Sequence, residues 1–126
     1  MAGCIFCKIV AGEIPSHQIY ADEHTLAFMD IGSVNPGHLL VAVKDHYATM
    51  MELPEELAAA AFRTANRVVK QIQDKLNPEG LTILQANNPA GWQTVPHFHM
   101  HVLPRHEGDG PALTWPARNP PGPESD

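Results

Sequence analysis

The chain has 126 residues, with 8 basic against 14 acidic side chains, a net charge of −6 with histidine neutral. One domain of ordinary size is expected, long enough to bury a core without a disulfide scaffold. The acidic balance argues against a protein that binds nucleic acid by neutralising its phosphates, and no apolar run approaches the length of about 18 residues needed to span a membrane.

In chain order, the first feature is Cys4 and Cys7, whose two-residue spacing is half of a metal site, or else a pair of reduced or redox-active thiols. The N-terminus lacks an apolar signal core with a cleavage site, so a cytoplasmic location is expected. There the thiols stay reduced rather than forming a structural disulfide. Gln18–Ala21 and Thr25–Asp30 read as two short strands around the polar link Asp22-Glu23-His24. Ser33-Val34-Asn35-Pro36-Gly37 is a turn by composition. His38–Val43 follows as an apolar, β-rich run suited to a strand covered on both faces. Pro54–Leu76 reads as the main helix. Leu57, Ala61, Ala65, Val68, Ile72 and Leu76 fall in steps of three or four and make one apolar stripe. Pro54 suits a first helical position, Glu55 and Glu56 suit the positive end of the dipole, and Asn77-Pro78-Glu79-Gly80 ends the helix. Leu81–Asn87 and His97–Leu103 read as further strands. The order β-β-β-α-β-β predicts an antiparallel α+β sheet with one main helix rather than a doubly wound parallel sheet. Residues 1–108 form the expected domain. Residues 109–126, rich in proline, form either an extended arm anchored by Trp115 or a floppy end.

Histidine is the outlier at 8 residues. His97, His99 and His101 alternate with Phe98, Met100 and Val102, so a strand here places the imidazoles on one face and the apolar side chains on the other. A polar solvent face that happens to use histidine is the plain reading. A single ion held by all three is disfavoured, because the outer pair lies about 13 Å apart along an extended strand. Chemistry on a phosphate suits the pattern better. Imidazole titrates near neutral pH and has two distinct nitrogens, one to attack and one to be held by a backbone carbonyl. The remaining histidines can donate to phosphate oxygens.

Positions 97 to 103 follow the pattern His, apolar, His, apolar, His, apolar, apolar. With Cys4-Ile-Phe-Cys-Lys-Ile-Val-Ala-Gly-Glu-Ile-Pro, Asp30-Ile31, Pro36-Gly37-His38 and Gln93-Thr94-Val95-Pro96-His97, the chain resembles the histidine triad family of nucleotide-binding hydrolases and transferases, from Cys4 to about Trp115. The resemblance implies a five-stranded antiparallel sheet, one long helix, a short N-terminal helix, and a homodimer whose sheets join into one. It implies an AMP-like purine nucleotide whose α-phosphate meets His99, the nucleophile that forms a covalent nucleotidyl-histidine. His101 and Thr94 are the expected phosphate donors, with Gln93 nearby. His97 completes the triad and His38 supports it. Asp30 accepts from the ribose hydroxyls, the plain alternative being a turn cap before Gly32. Ile31 packs near the base, and Asn87 or Asn88 supplies a polar nucleotide contact. Trp92 stands where many relatives carry a small glycine near the phosphate, which bears on the leaving group and not on His99.

Some relatives with the N-terminal cysteine pair hold a structural zinc, and the resemblance assigns its ligands to Cys4, Cys7, His46 and His97. His17, His24 and His106 are expected at the surface. Three functions remain open on the sequence. They are a nucleotidyl-histidine enzyme acting on phosphoramidates or dinucleoside polyphosphates, a non-catalytic nucleotide- and zinc-binding interaction protein, and a zinc hydrolase.

Overall fold

The structure, a computed structural model, describes residues 3–30 and 38–108. Ile31, the turn at 33–37 and the arm at 109–126 with Trp115 lie outside the described residues. Five strands form one sheet in the order β1-β2-β3-β5-β4, every neighbouring pair antiparallel. They are β1 (Gln18–Ala21), β2 (Thr25–Met29), β3 (Leu39–Val43), β4 (Gly80–Gln85) and β5 (His99–Arg105). Helix α1 (Ile5–Val10) precedes the sheet and helix α2 (Glu55–Leu76) joins β3 to β4. No helix among the described residues is long and apolar enough to cross a membrane.

Side-chain alternation explains why β2 and β3 are buried almost throughout. Ala27, Leu39, Val41, Val43, Phe98, Met100 and Val102 turn to one side and pack on Ala61, Ala65, Val68 and Ile72 of α2. Leu26, Phe28, Leu40 and Ala42 turn to the other and pack on Cys4, Phe6 and Ile9 of the N-terminal segment. The continuous apolar run of β3 is therefore a strand covered on both faces. Thr25 and Thr64, both buried, join β2 to α2 through hydroxyls 2.6 Å apart.

The elements fall close to their sequence-based limits, and the differences have local causes. Pro54 sits one position before α2 as its cap, where its carbonyl accepts from the Leu57 and Ala58 amides. The predicted stripe is buried from Ala61 to Ile72, but Leu57 is only half-buried and Leu76 is exposed at the helix end. Strand β4 starts at Gly80 and ends at Gln85, two residues early, because Asn87 turns to bond the Met50 amide and Gln85. Strand β5 begins at His99, not His97. The His97 amide bonds back to the Val95 carbonyl at 2.8 Å, a tight turn that breaks the extended chain. β5 also runs through Pro104, which pairs with Leu81 of β4 beyond the last residue that β5 pairs with β3, so no ladder bond to β3 is lost.

Candidate functional site

The register of the sheet builds the site. His99 pairs with Ala42 and His101 with Leu40, so both imidazoles emerge on the α1 side. Phe98, Met100 and Val102 anchor the opposite face in the core. The alternation read from sequence thus extends two residues before the strand, since His97 also meets Phe6 of α1, with ring centroids 5.8 Å apart. The Phe6 ring presents an edge to His99 at 4.8 Å, and His99 lies 4.9 Å from His101.

Hydrogen bonds set the tautomers. His99 Nδ1 lies 2.6 Å from the His97 carbonyl oxygen. A carbonyl only accepts, so Nδ1 carries the proton and Nε2 keeps a lone pair. Burial pushes the His99 pKa down, partly opposed by that bond and by Asp30. Burial, with His99 and His38 adding to it, pushes His101 down to about 4. Burial lowers His38 as well, against the pull of Asp30. These imidazoles are neutral at pH 7.

His99 and His101 line a cleft of about 290 Å³ together with Thr94, Asp30, Phe28, Leu40 and the α1 residues Ile5, Phe6 and Ile9. Its walls are apolar and its polar groups few, the usual make-up of a small-molecule site. Asp30 leaves β2 with its amide bonded to the His38 carbonyl, which sets its carboxylate beside the His38 ring at 3.4 Å. His38 Nε2 in turn lies 3.4 Å from His101 Nδ1.

Other residues singled out in the sequence lie elsewhere. Gln93 is buried, donates to the Ala48 carbonyl at 2.6 Å and accepts from the Asn88 amide at 2.7 Å. Asn87 accepts from the Met50 amide. Trp92 is exposed and caps a short 3-10 turn, Pro89–Gly91. These three are not among the residues lining the cleft, whereas Thr94, next to the Gln93 clamp, is. His17, His24 and His106 are exposed, although His17 reaches the cleft rim.

A second cluster adjoins the first. Cys4, Cys7, His46 and His97 bring their ligand atoms within 4.8 Å of one another. Cys4 Sγ and Cys7 Sγ lie 3.3 and 3.5 Å from His97 Nδ1, and Cys7 Sγ lies 3.3 Å from His46 Nδ1. A tetrahedral ion with bonds of about 2.0–2.3 Å needs such separations, about 3.3–3.6 Å. His97 Nε2 donates to the Val43 carbonyl at 2.5 Å, which leaves the Nδ1 lone pair facing the thiols. Burial pushes the His97 pKa down and the Cys7 thiol up, the latter reinforced by Cys4. The donor set therefore fits a metal ion, and only one triad histidine belongs to it.

Phe6, Ile5 and Ile9 escaped notice in the sequence as site residues. Their segment signals its cysteines first, and nothing local joins Phe6 to a strand some 90 residues away. Their one signal is the apolar spacing of a short helix.

An antiparallel sheet that shows alternating imidazoles in a cleft, backed by a long helix, is the architecture of a histidine triad protein. The HIT domain profile matches residues 11–108, and the chain belongs to this family. A HIT family crystal structure from Bacillus subtilis superposes with a TM-score of 0.85 at 45% identity, covering 90% of this chain and 81% of that one. A zinc-bound histidine triad family protein from Mycobacterium smegmatis gives 0.84 at 34% identity, covering 89% and 81%. The Schizosaccharomyces pombe relative named adenosine 5'-monophosphoramidase is 39% identical over 115 residues, 90% of this chain and 84% of its own length.

Proposed function

We propose that the chain cleaves AMP-linked substrates, phosphoramidates or dinucleoside polyphosphates, at the α-phosphate through a nucleotidyl-His99 intermediate. The observation that carries this reading is the His99 tautomer. With Nδ1–H held by the His97 carbonyl, the Nε2 lone pair is the nucleophile. Nε2 bonds to phosphorus as the bond to the leaving group breaks, and the leaving group takes a proton from solvent, which is given back when the attacking water loses its own in the second step. Water then adds to phosphorus, the N–P bond breaks, AMP leaves and the neutral imidazole returns. A nucleotide acceptor in place of water makes the same step a transfer. His101 and the Thr94 hydroxyl donate to the phosphate oxygens, and both line the cleft beside His99. Asp30 takes the ribose hydroxyls. Gln93 and Asn87 act by fixing the loop that carries Thr94 and Trp92, and His38 orients His101. The monophosphoramidase name of the fission-yeast relative supports the substrate class.

Zinc is the ion proposed for Cys4, Cys7, His46 and His97, supported by the zinc-bound mycobacterial neighbour. When bound it supplies a structural cross-link. The four residues tie the start of α1 to the segment after β3 and to the turn before β5. The same reading includes a cytoplasmic homodimer, in which β4, one of the two edge strands of the sheet among the described residues, and the exposed Phe62 of α2 meet the partner.

His99→Asn tests the proposal. Turnover of adenosine phosphoramidate is expected to fall at least about 10³-fold, while thermal stability and AMP affinity change little. Unchanged turnover contradicts the enzyme reading and favours a non-catalytic nucleotide-binding protein.

A further inference from the structure

We propose that Asp30, His38 and His101 form a second metal site, which takes a divalent transition ion through Oδ2, Nε2 and Nδ1. Their ligand atoms lie within 4.8 Å of one another. His38 Nε2 stands 3.4 Å from both Asp30 Oδ2 and His101 Nδ1. That separation is long for a hydrogen bond to nitrogen or oxygen, which favours about 2.7–3.2 Å. It matches the edge of a tetrahedron with bonds of about 2.0–2.1 Å. A single N–H at Nε2 also meets two acceptors at equal distance, whereas one cation satisfies all three atoms at once.

The ligands are preorganised by backbone. Asp30 and His38 are held across the ends of β2 and β3 by the 3.0 Å bond from the Asp30 amide to the His38 carbonyl. His101 is fixed opposite Leu40 by the β3–β5 register. The His38 side chain is buried and Asp30 is partly open to solvent. Two imidazoles and one carboxylate select zinc-like ions over magnesium or calcium, which require mostly oxygen. Three protein ligands leave a fourth position free. Asp30 and His101 line the nucleotide cleft and His97 does not. An ion held here therefore contends with a nucleotide, and it is separate from the cysteine-containing group. This competition rests on the nucleotide reading, while the site itself does not.

Zinc titration of the full chain by calorimetry, repeated with cobalt, tests the proposal. Two ions per chain are expected, a tight one and a weaker one. The first cobalt equivalent brings sulfur-to-metal charge transfer, and the second adds ligand-field absorption without it. His38→Gln and, separately, Asp30→Asn at the more exposed position are each expected to weaken the second step by more than about tenfold and to leave the first intact. If His38→Gln does not fold, Asp30→Asn decides the matter. A stoichiometry of one, or a second step unaltered in the folded variants, overturns the proposal. Saturating AMP is expected to weaken the second step. A second step that the variants abolish but AMP leaves untouched upholds the metal site and contradicts the placement of the nucleotide against Asp30.

Discussion

Two histidines two residues apart hold opposite tautomers. His97 donates from Nε2 to the Val43 carbonyl and turns its Nδ1 lone pair to the thiols. His99 donates from Nδ1 to the His97 carbonyl and leaves Nε2 free for the cleft. A backbone acceptor for each ring thus divides the triad between a metal group and a phosphate site. The alternation of the three histidines is legible in the sequence, but their division is not, because it depends on carbonyls that only the fold brings near. Asp22 is a different case, a turn residue with no link to the site. Burial is the largest single influence and raises its pKa, but bonds from the His24 and Thr25 amides and the Tyr20 and Thr25 hydroxyls together outweigh it and pull the value down to about 2. Its folded-state value is below the ordinary 3.8, so its stabilisation is complete above about pH 4 and is lost as pH falls through about 2. Solvent exposure holds the effect to about 1 kcal/mol or less. Urea unfolding between pH 7 and 2 is expected to show a shallower acid loss in Asp22→Asn than in the unaltered chain. Parallel curves contradict the assignment.

Among the elements, α1 depends most on its surroundings. A helix of six residues is not stable alone. It is held by the Cys4 cap, by Phe6 and Ile9 in the core, and by the metal group at its start. Dialysis of the zinc-loaded chain against a chelator is expected to lower Tm by more than about 5 °C and to speed amide exchange in α1. Turnover well below the new Tm is expected to survive. Turnover lost at an unchanged Tm identifies the ion as part of the chemistry and favours the zinc hydrolase instead. The loop before β5 carries strain of another kind. Trp92 has φ of 77°, a left-handed conformation suited to glycine, and the residue is 58% exposed. Such a residue costs about 1–3 kcal/mol, part of which glycine returns through the unfolded chain. Trp92→Gly is expected to raise Tm by about 2–5 °C. A lower Tm shows that the ring packs more strongly than its exposure implies. The sequence resemblance marks this position as one where many relatives carry a small glycine, and the backbone angle here is one that glycine adopts without strain.

At the scale of the molecule, the periodicities carry most of the fold. The two-sided apolar run of β3, the three-and-four spacing of α2 and the alternation at β5 each state which face meets the core. They do not state that residues at opposite ends of the chain close on one another. Cys4 meets His97, and Phe6 supports His99. Those contacts require the α1 face of the sheet to be assembled first, so they are visible only through resemblance or structure. The assembled face makes one chemical claim above the others, that His99 Nε2 becomes bonded to phosphorus. Mass spectrometry of enzyme quenched during turnover of adenosine phosphoramidate tests it most directly. The account predicts an acid-labile AMP adduct on the peptide carrying His99, absent from His99→Asn. An adduct on another residue, or full turnover by His99→Asn, contradicts it.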